Sequence, residues 1–199
     1  MSFRVVWTQA SRLPWAWGAP VVIEAPDELE CAGLPQMRLA TRSVYTSAEP
    51  EALFLWLCQL RHAPYSYDWI DNFGRRSPRQ ADPGMQDLRV GQRFMTIFIL
   101  TGYEPGKSLT LRMSPGWPTR AFGTITVKYQ ISQAAESWSQ LSVALWMPPI
   151  GRRMGRFRRY LLAWGDVVMM RKQLRVLSEL AEQEARGVDQ RQHQSERNG

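Results

Sequence analysis

From Leu109 to Met147 three runs of the chain set apolar side chains at every second position, and from Arg156 to Glu184 it switches to a period of 3.6 with no proline. Few folds accommodate both patterns in that order. Leu109, Leu111 and Met113 alternate with Thr110 and Arg112. Ile125, Val127, Tyr129 and Ile131 alternate with polar neighbours, as do Leu141, Val143, Leu145 and Met147 with Ser142, Ala144 and Trp146. Period two indicates antiparallel strands with one buried face. That face needs a covering layer. The 3.6-period stretch supplies one, a helix on the order of 40 Å long. The fold class is therefore α+β.

The first half provides the remaining elements. Arg38–Thr46 reads as a first strand. Ser47 is the expected N-cap of a helix over Glu51–Leu60, with Pro50 tolerated in its first turn. That helix is apolar nearly all round, so it should be buried on more than one side. Pro64 can open a second short helix, Tyr65–Asn72, and residues 75–92 read as a long loop. Phe94–Tyr103 reads as one strand ending in a turn at Glu104-Pro105-Gly106. Residues 1–37 form a Trp-rich extension with Trp7, Trp15 and Trp17, expected to pack on the domain at 38–184. The polar tail 185–199 is expected to be disordered.

Composition narrows the function classes. The two cysteines, Cys31 and Cys58, have no metal or redox spacing and read as reduced thiols of a cytoplasmic protein. No signal peptide or membrane-length apolar run is legible. His62 and His193 are the only histidines. HExxH, GxSxG, Walker A and GxGxxG are all missing, so no cofactor, metal or catalytic residue is assigned. Cys58 and His62 stand four apart on a helix, but in surroundings too apolar for a reactive dyad. The net charge is +7, and all but three of the 25 basic residues are arginine. A nucleic-acid motif does not accompany them, and no nucleic-acid partner is expected.

The order of elements is strand, two short helices, meander, long terminal helix. With Ser47-Ala48-Glu49-Pro50-Glu51 leading into Leu53, Trp56 and Leu57, it resembles the START-like (SRPBCC) superfamily of polyketide cyclases and lipid-transfer domains. Pro64-Tyr65-Ser66-Tyr67-Asp68-Trp69-Ile70-Asp71-Asn72, Val90-Gly91-Gln92 and the run from Trp164-Gly165-Asp166 to Gln173 resemble an uncharacterised bacterial branch. The resemblance implies a helix-grip fold: a curved antiparallel sheet around the C-terminal helix, enclosing a ligand pocket. Its walls would come from Leu111, Met113, Val127, Tyr129 and Leu145 on the strands. The helix would add Asp166, Met169, Met170 and Gln173, and the short helix closing the mouth would add Tyr67, Trp69 and Phe73.

On the terminal helix, Ala163, Met170, Leu174, Leu177 and Ala181 share one face at 100° per residue, with Asp166 and Gln173 beside it. A carboxylate there is costly unless paired or neutralised. Asp166 either meets an arginine, with the 75–79 loop as the first candidate source, or faces a ligand. Arg152, Arg153 and Arg156 offer a weak contact to an anionic surface, beside the plainer reading of a solvated arginine run. The expected function is binding or transport of an apolar small molecule. The alternatives are a cyclase or dehydratase using the same pocket, and an interaction module whose core is filled.

Overall fold

The computed structural model describes residues 4–7, 13–26, 29, 37–66, 76–149 and 155–197. Its main sheet has seven strands: β2 (Ala16–Trp17), β4 (Arg38–Thr46), β5 (Arg93–Phe94), β6 (Phe98–Glu104), β7 (Ser108–Met113), β8 (Thr126–Ala135) and β9 (Trp138–Met147). They lie in the order β2-β4-β9-β8-β7-β6-β5. A separate two-stranded ribbon pairs β1 (Arg4–Trp7) with β3 (Val21–Glu24). The helices are α1 (Pro50–Cys58), α2 (Trp117–Phe122) and α3 (Gly155–Arg197). The sheet grips α3 on its inner face, which is the helix-grip arrangement.

The inner face follows the alternation. Leu109, Leu111, Val127, Tyr129, Leu141, Val143, Leu145 and Met147 join one buried cluster with Ala163, Met170, Leu174, Leu177 and Ala181 of α3. The apolar α1 is sandwiched as its sequence implies, with Leu53, Phe54, Trp56, Leu57 and Cys58 all buried.

The outer face is covered too. Ala144 and Trp146 of β9 pack with Val21, Ile23, Ala25 and Leu29 in a second cluster. Side chains of the sheet strap the extension down through its carbonyls. Ser43 donates to Ala19, Gln130 to Val22 and Gln140 to Pro20. Gly18 makes the closest approach: its φ is +92, and a Cβ there would sit 2.1 Å from the Ser43 carbonyl oxygen. Trp15 and Trp17 are partly buried against the main core. Arg38 stacks over Trp15, while Arg171 and Arg175 lie over Trp17.

Several expectations need correction. The sheet is antiparallel except at one edge, where β2 of the extension pairs parallel with β4. Glu49, not Ser47, stands at the N-cap position of α1, without a side-chain capping bond, and Pro50 with its fixed φ takes the first helical turn. The Ser47 amide instead donates to Glu182 of α3. The strand expected over Phe94–Tyr103 breaks after Phe94, where the Met95 N–H turns away to the Leu60 carbonyl. Helix α2 was not anticipated. It begins at Trp117-Pro118 and stops at Gly123, whose φ is +78. The expected disordered tail is helix as far as Arg197. Residues 185–197 hold no proline, one glycine, three Gln and three Arg, and the last two types are good helix formers. The second short helix, expected over Tyr65–Asn72, lies outside the described residues apart from Tyr65 and Ser66.

Candidate functional site

A cavity of about 540 Å³ lies between the sheet and α3, so the core is not filled by side chains. Its walls come from six places: the chain at Pro64 and Ser66, the turn Met95–Ile97, the ends of β6, β7 and β9, helix α2, Ile125 just after it, and α3 between Leu161 and Gln173. Met95, Met113, Met147, Met169 and Met170 supply much of the surface. Trp117, Leu161, Thr96 and Gly165 are exposed as well as lining, so the cavity opens to solvent between α2 and α3.

Of the residues expected at the site, Met113, Leu145, Asp166, Met169, Met170 and Gln173 line the cavity. Leu111, Val127 and Tyr129 do not. They face inward as alternation demands but are fully buried, at the end of the sheet where α1 packs on β8. Alternation selects the face of a strand, not the position along it where space remains. Tyr67, Trp69 and Phe73 lie outside the described residues. The lining also includes Met95, Thr96, Phe98, Trp117 and Phe122, which sequence patterning missed. The signal for α2 was present in the Gly-Trp-Pro start and the Gly stop.

Three non-glycine residues with left-handed backbone border the cavity: Tyr65 (φ 53), Met95 (φ 44) and Thr96 (φ 66). Each such conformation costs on the order of 1–2 kcal/mol, and such strain concentrates at binding sites. Tyr65 is held by burial and by an edge-to-face contact with Trp56 at 5.9 Å.

Ser66, Thr96, Asp166 and Gln173 carry the polar side chains of the wall, and two of them tie elements together. Gln173 accepts from the Tyr129 hydroxyl at 2.7 Å and donates to the Pro64 carbonyl, tying β8, α3 and the cavity floor together. Burial and the nearby Asp166 charge hold the Tyr129 hydroxyl well above the usual phenol range. The other group is Asp166. Its Oδ2 accepts from Arg42 Nη2 at 2.9 Å, and its side chain is 12% exposed while that of Arg42 is 0% exposed. Among the described residues the partner is thus a strand arginine of β4, and neither Arg76 nor Arg79 of the loop; Arg75 lies outside the described residues. Arg42 shares the inward face of β4 with Ala40, Val44 and Thr46, so an arginine interrupts an otherwise suitable core pattern. That interruption was the legible sign.

Arg42 is heavily committed. Nη1 donates to the carbonyls of Trp15 and Thr41, and Nη2 to those of Pro14 and, at 3.4 Å, Ala163. Burial lowers its pKa, against the pull of Asp166. Burial likewise pushes the Asp166 carboxyl up to about 6, although Arg42 pulls the other way. Desolvation therefore outweighs the ion pair, as often happens for buried charges. Cys58 is a buried free thiol pushed up to about 12 by burial, so its neighbour His62 finds no thiolate. Among the described residues no three His, Cys, Asp or Glu side chains gather as a metal site.

Comparison with solved structures returns folds of this shape. Protein MLL2253 from Mesorhizobium loti is similar over 73% of this chain and 98% of its own, at 18% identity and a TM-score of 0.47. The ZhuI aromatase/cyclase from Streptomyces sp. R1128 is similar over 75% and 96%, at 11% identity and 0.48. The di-domain aromatase/cyclase StfQ of the steffimycin pathway is similar over 79% of this chain and 55% of its own, at 14% and 0.45. No family model and no curated protein matches the chain. Similarity at this level does not carry substrate or chemistry from those proteins to this one.

Proposed function

We propose that the protein binds or carries an apolar small molecule, of lipid, polyketide or aromatic kind, in the cavity between the sheet and α3. The observation that carries this reading is the cavity itself: about 540 Å³, walled by methionine, leucine, isoleucine and aromatic side chains, with few polar groups. Ligand pockets are typically of this size and character. Methionine walls adapt to ligands of varied shape. Native mass spectrometry of the purified protein, followed by solvent extraction, tests it. The expected result is a retained apolar compound or, failing retention, saturable binding of an apolar fluorescent dye. Absence of both a retained compound and dye binding would overturn the reading.

One observation favours a second reading, a cyclase or dehydratase. A carboxyl at about 6 on the cavity wall can exchange a proton near neutral pH. In that case Asp166→Asn abolishes conversion of a bound polyketide-like substrate while binding survives. Binding without conversion, in wild type and variant alike, supports the carrier.

A further inference from the structure

The cavity opens onto an apolar surface that is exposed among the described residues. Phe157, Tyr160, Leu161, Trp164 and Val168 recur at intervals of three and four along α3, so they form one stripe. They are 38–55% exposed. Tyr160 and Trp164 meet edge to face at 6.3 Å. Leu161 belongs both to this stripe and to the cavity wall, and Trp117 of α2, 67% exposed, stands on the same mouth. A row of large exposed side chains beside a pocket entrance marks an interaction surface.

Charge identifies the partner. Between Gly155 and Arg175 the sequence carries six basic residues, Arg156, Arg158, Arg159, Arg171, Lys172 and Arg175. Its one acid is Asp166, which Arg42 neutralises. The first turn of α3 holds no acid, and three arginines sit where the helix dipole disfavours cations. A second copy of the chain would bring two such basic helices together. An anionic surface would relieve the mismatch. An apolar stripe with tyrosine and tryptophan, on a helix rich in arginine, suits the plane of a lipid interface.

We propose that the first third of α3, with Trp117 of α2, docks on an anionic lipid bilayer and turns the cavity mouth toward it. The docking stands apart from the identity of the cavity's ligand, because vesicle binding is read without one. The experiment is co-sedimentation of the full chain with phosphatidylcholine vesicles, with and without phosphatidylglycerol. Binding is expected with the anionic vesicles only, weakening with added salt. Phe157→Ser with Trp164→Ser should lower that binding about tenfold or more, since insertion of the apolar face carries much of the affinity. Val168→Asp, on the same stripe and outside the cavity wall, repeats the test should the pair disturb the fold. Absence of binding to anionic vesicles would overturn the proposal. So would salt-sensitive binding indifferent to all three substitutions, or a dimer in solution that the same substitutions dissociate.

Discussion

At the scale of single residues, the informative pair is Asp166 with Arg42. The carboxyl titrates at 3.8 in an unfolded chain and at about 6 in the fold. Between those values the folded protein holds a proton that the unfolded chain has released. The contribution of Asp166 to stability is therefore greatest below pH 4, falls as pH rises toward 6, and levels off above it. The span corresponds to on the order of 2–3 kcal/mol. Urea unfolding of wild type and Asp166→Asn from pH 4 to 7 should show this slope in the first and not in the second. At pH 7 the Asn variant should stay within about 1 kcal/mol of wild type or exceed it, because its amide oxygen still accepts from Arg42 without the desolvation of a carboxylate. Asp166→Leu leaves the buried Arg42 guanidinium with backbone carbonyls alone and should lose about 3–5 kcal/mol. An Asn variant as unstable as the Leu variant would show that the negative charge itself is required. Tyr129→Phe tests the neighbouring contact. It leaves the buried Gln173 oxygen without its donor and should cost about 1–3 kcal/mol in the same measurement.

At the scale of elements, the extension and α3 each make a prediction. The extension adds strand β2 to the sheet edge, supplies two carbonyls to Arg42 and buries Val21 and Ile23 on the outer face. Deleting residues 1–25 should therefore lower the melting temperature by well over 5 °C and disturb Asp166 through Arg42, as thermal scans with and without the deletion would show. Unchanged melting would refute a structural role. Beyond Gly187 the sequence offers a single apolar residue, Val188, and so no face to bury. Truncation there should leave the melting temperature within a few degrees. These elements also show what the sequence made legible. The strands at 108–147 and the core face of α3 were readable because burial imposes periods of two and 3.6. The cavity was readable only as far as the inward faces. Leu111 and Val127 face inward and are packed tight, whereas Leu145, cross-strand partner of Val127, lines open space. Where space remains depends on how α1 and α2 sit on the sheet, and no local pattern encodes that. Arg42 was missed because its partner lies more than a hundred residues away, although an arginine on an inward strand face announces that some partner exists.

At the scale of the whole molecule, the protein leaves a space between two layers that could have closed, and Gly165 shows how. It lies inside α3, where glycine costs about 0.5–1 kcal/mol relative to alanine. Its backbone is helical, and a Cβ added there would meet nothing within 4 Å. It lines the cavity and is itself exposed. Helix propensity alone would favour a side chain at this position, and the glycine leaves this part of the wall without one. Two substitutions separate the effects. Gly165→Ala should raise stability by about 0.5–1 kcal/mol in urea unfolding, with little change in the binding of an apolar dye, because a methyl group narrows the entrance only slightly. Gly165→Phe has room to enter the cavity mouth and should keep the fold while weakening dye binding about tenfold or more. A phenylalanine variant that is stable yet binds the dye as wild type does would mean that ligands enter elsewhere, or that the dye sits outside the cavity. An alanine variant less stable than wild type would mean instead that α3 must bend at Gly165, and that the glycine serves the helix and not the entrance.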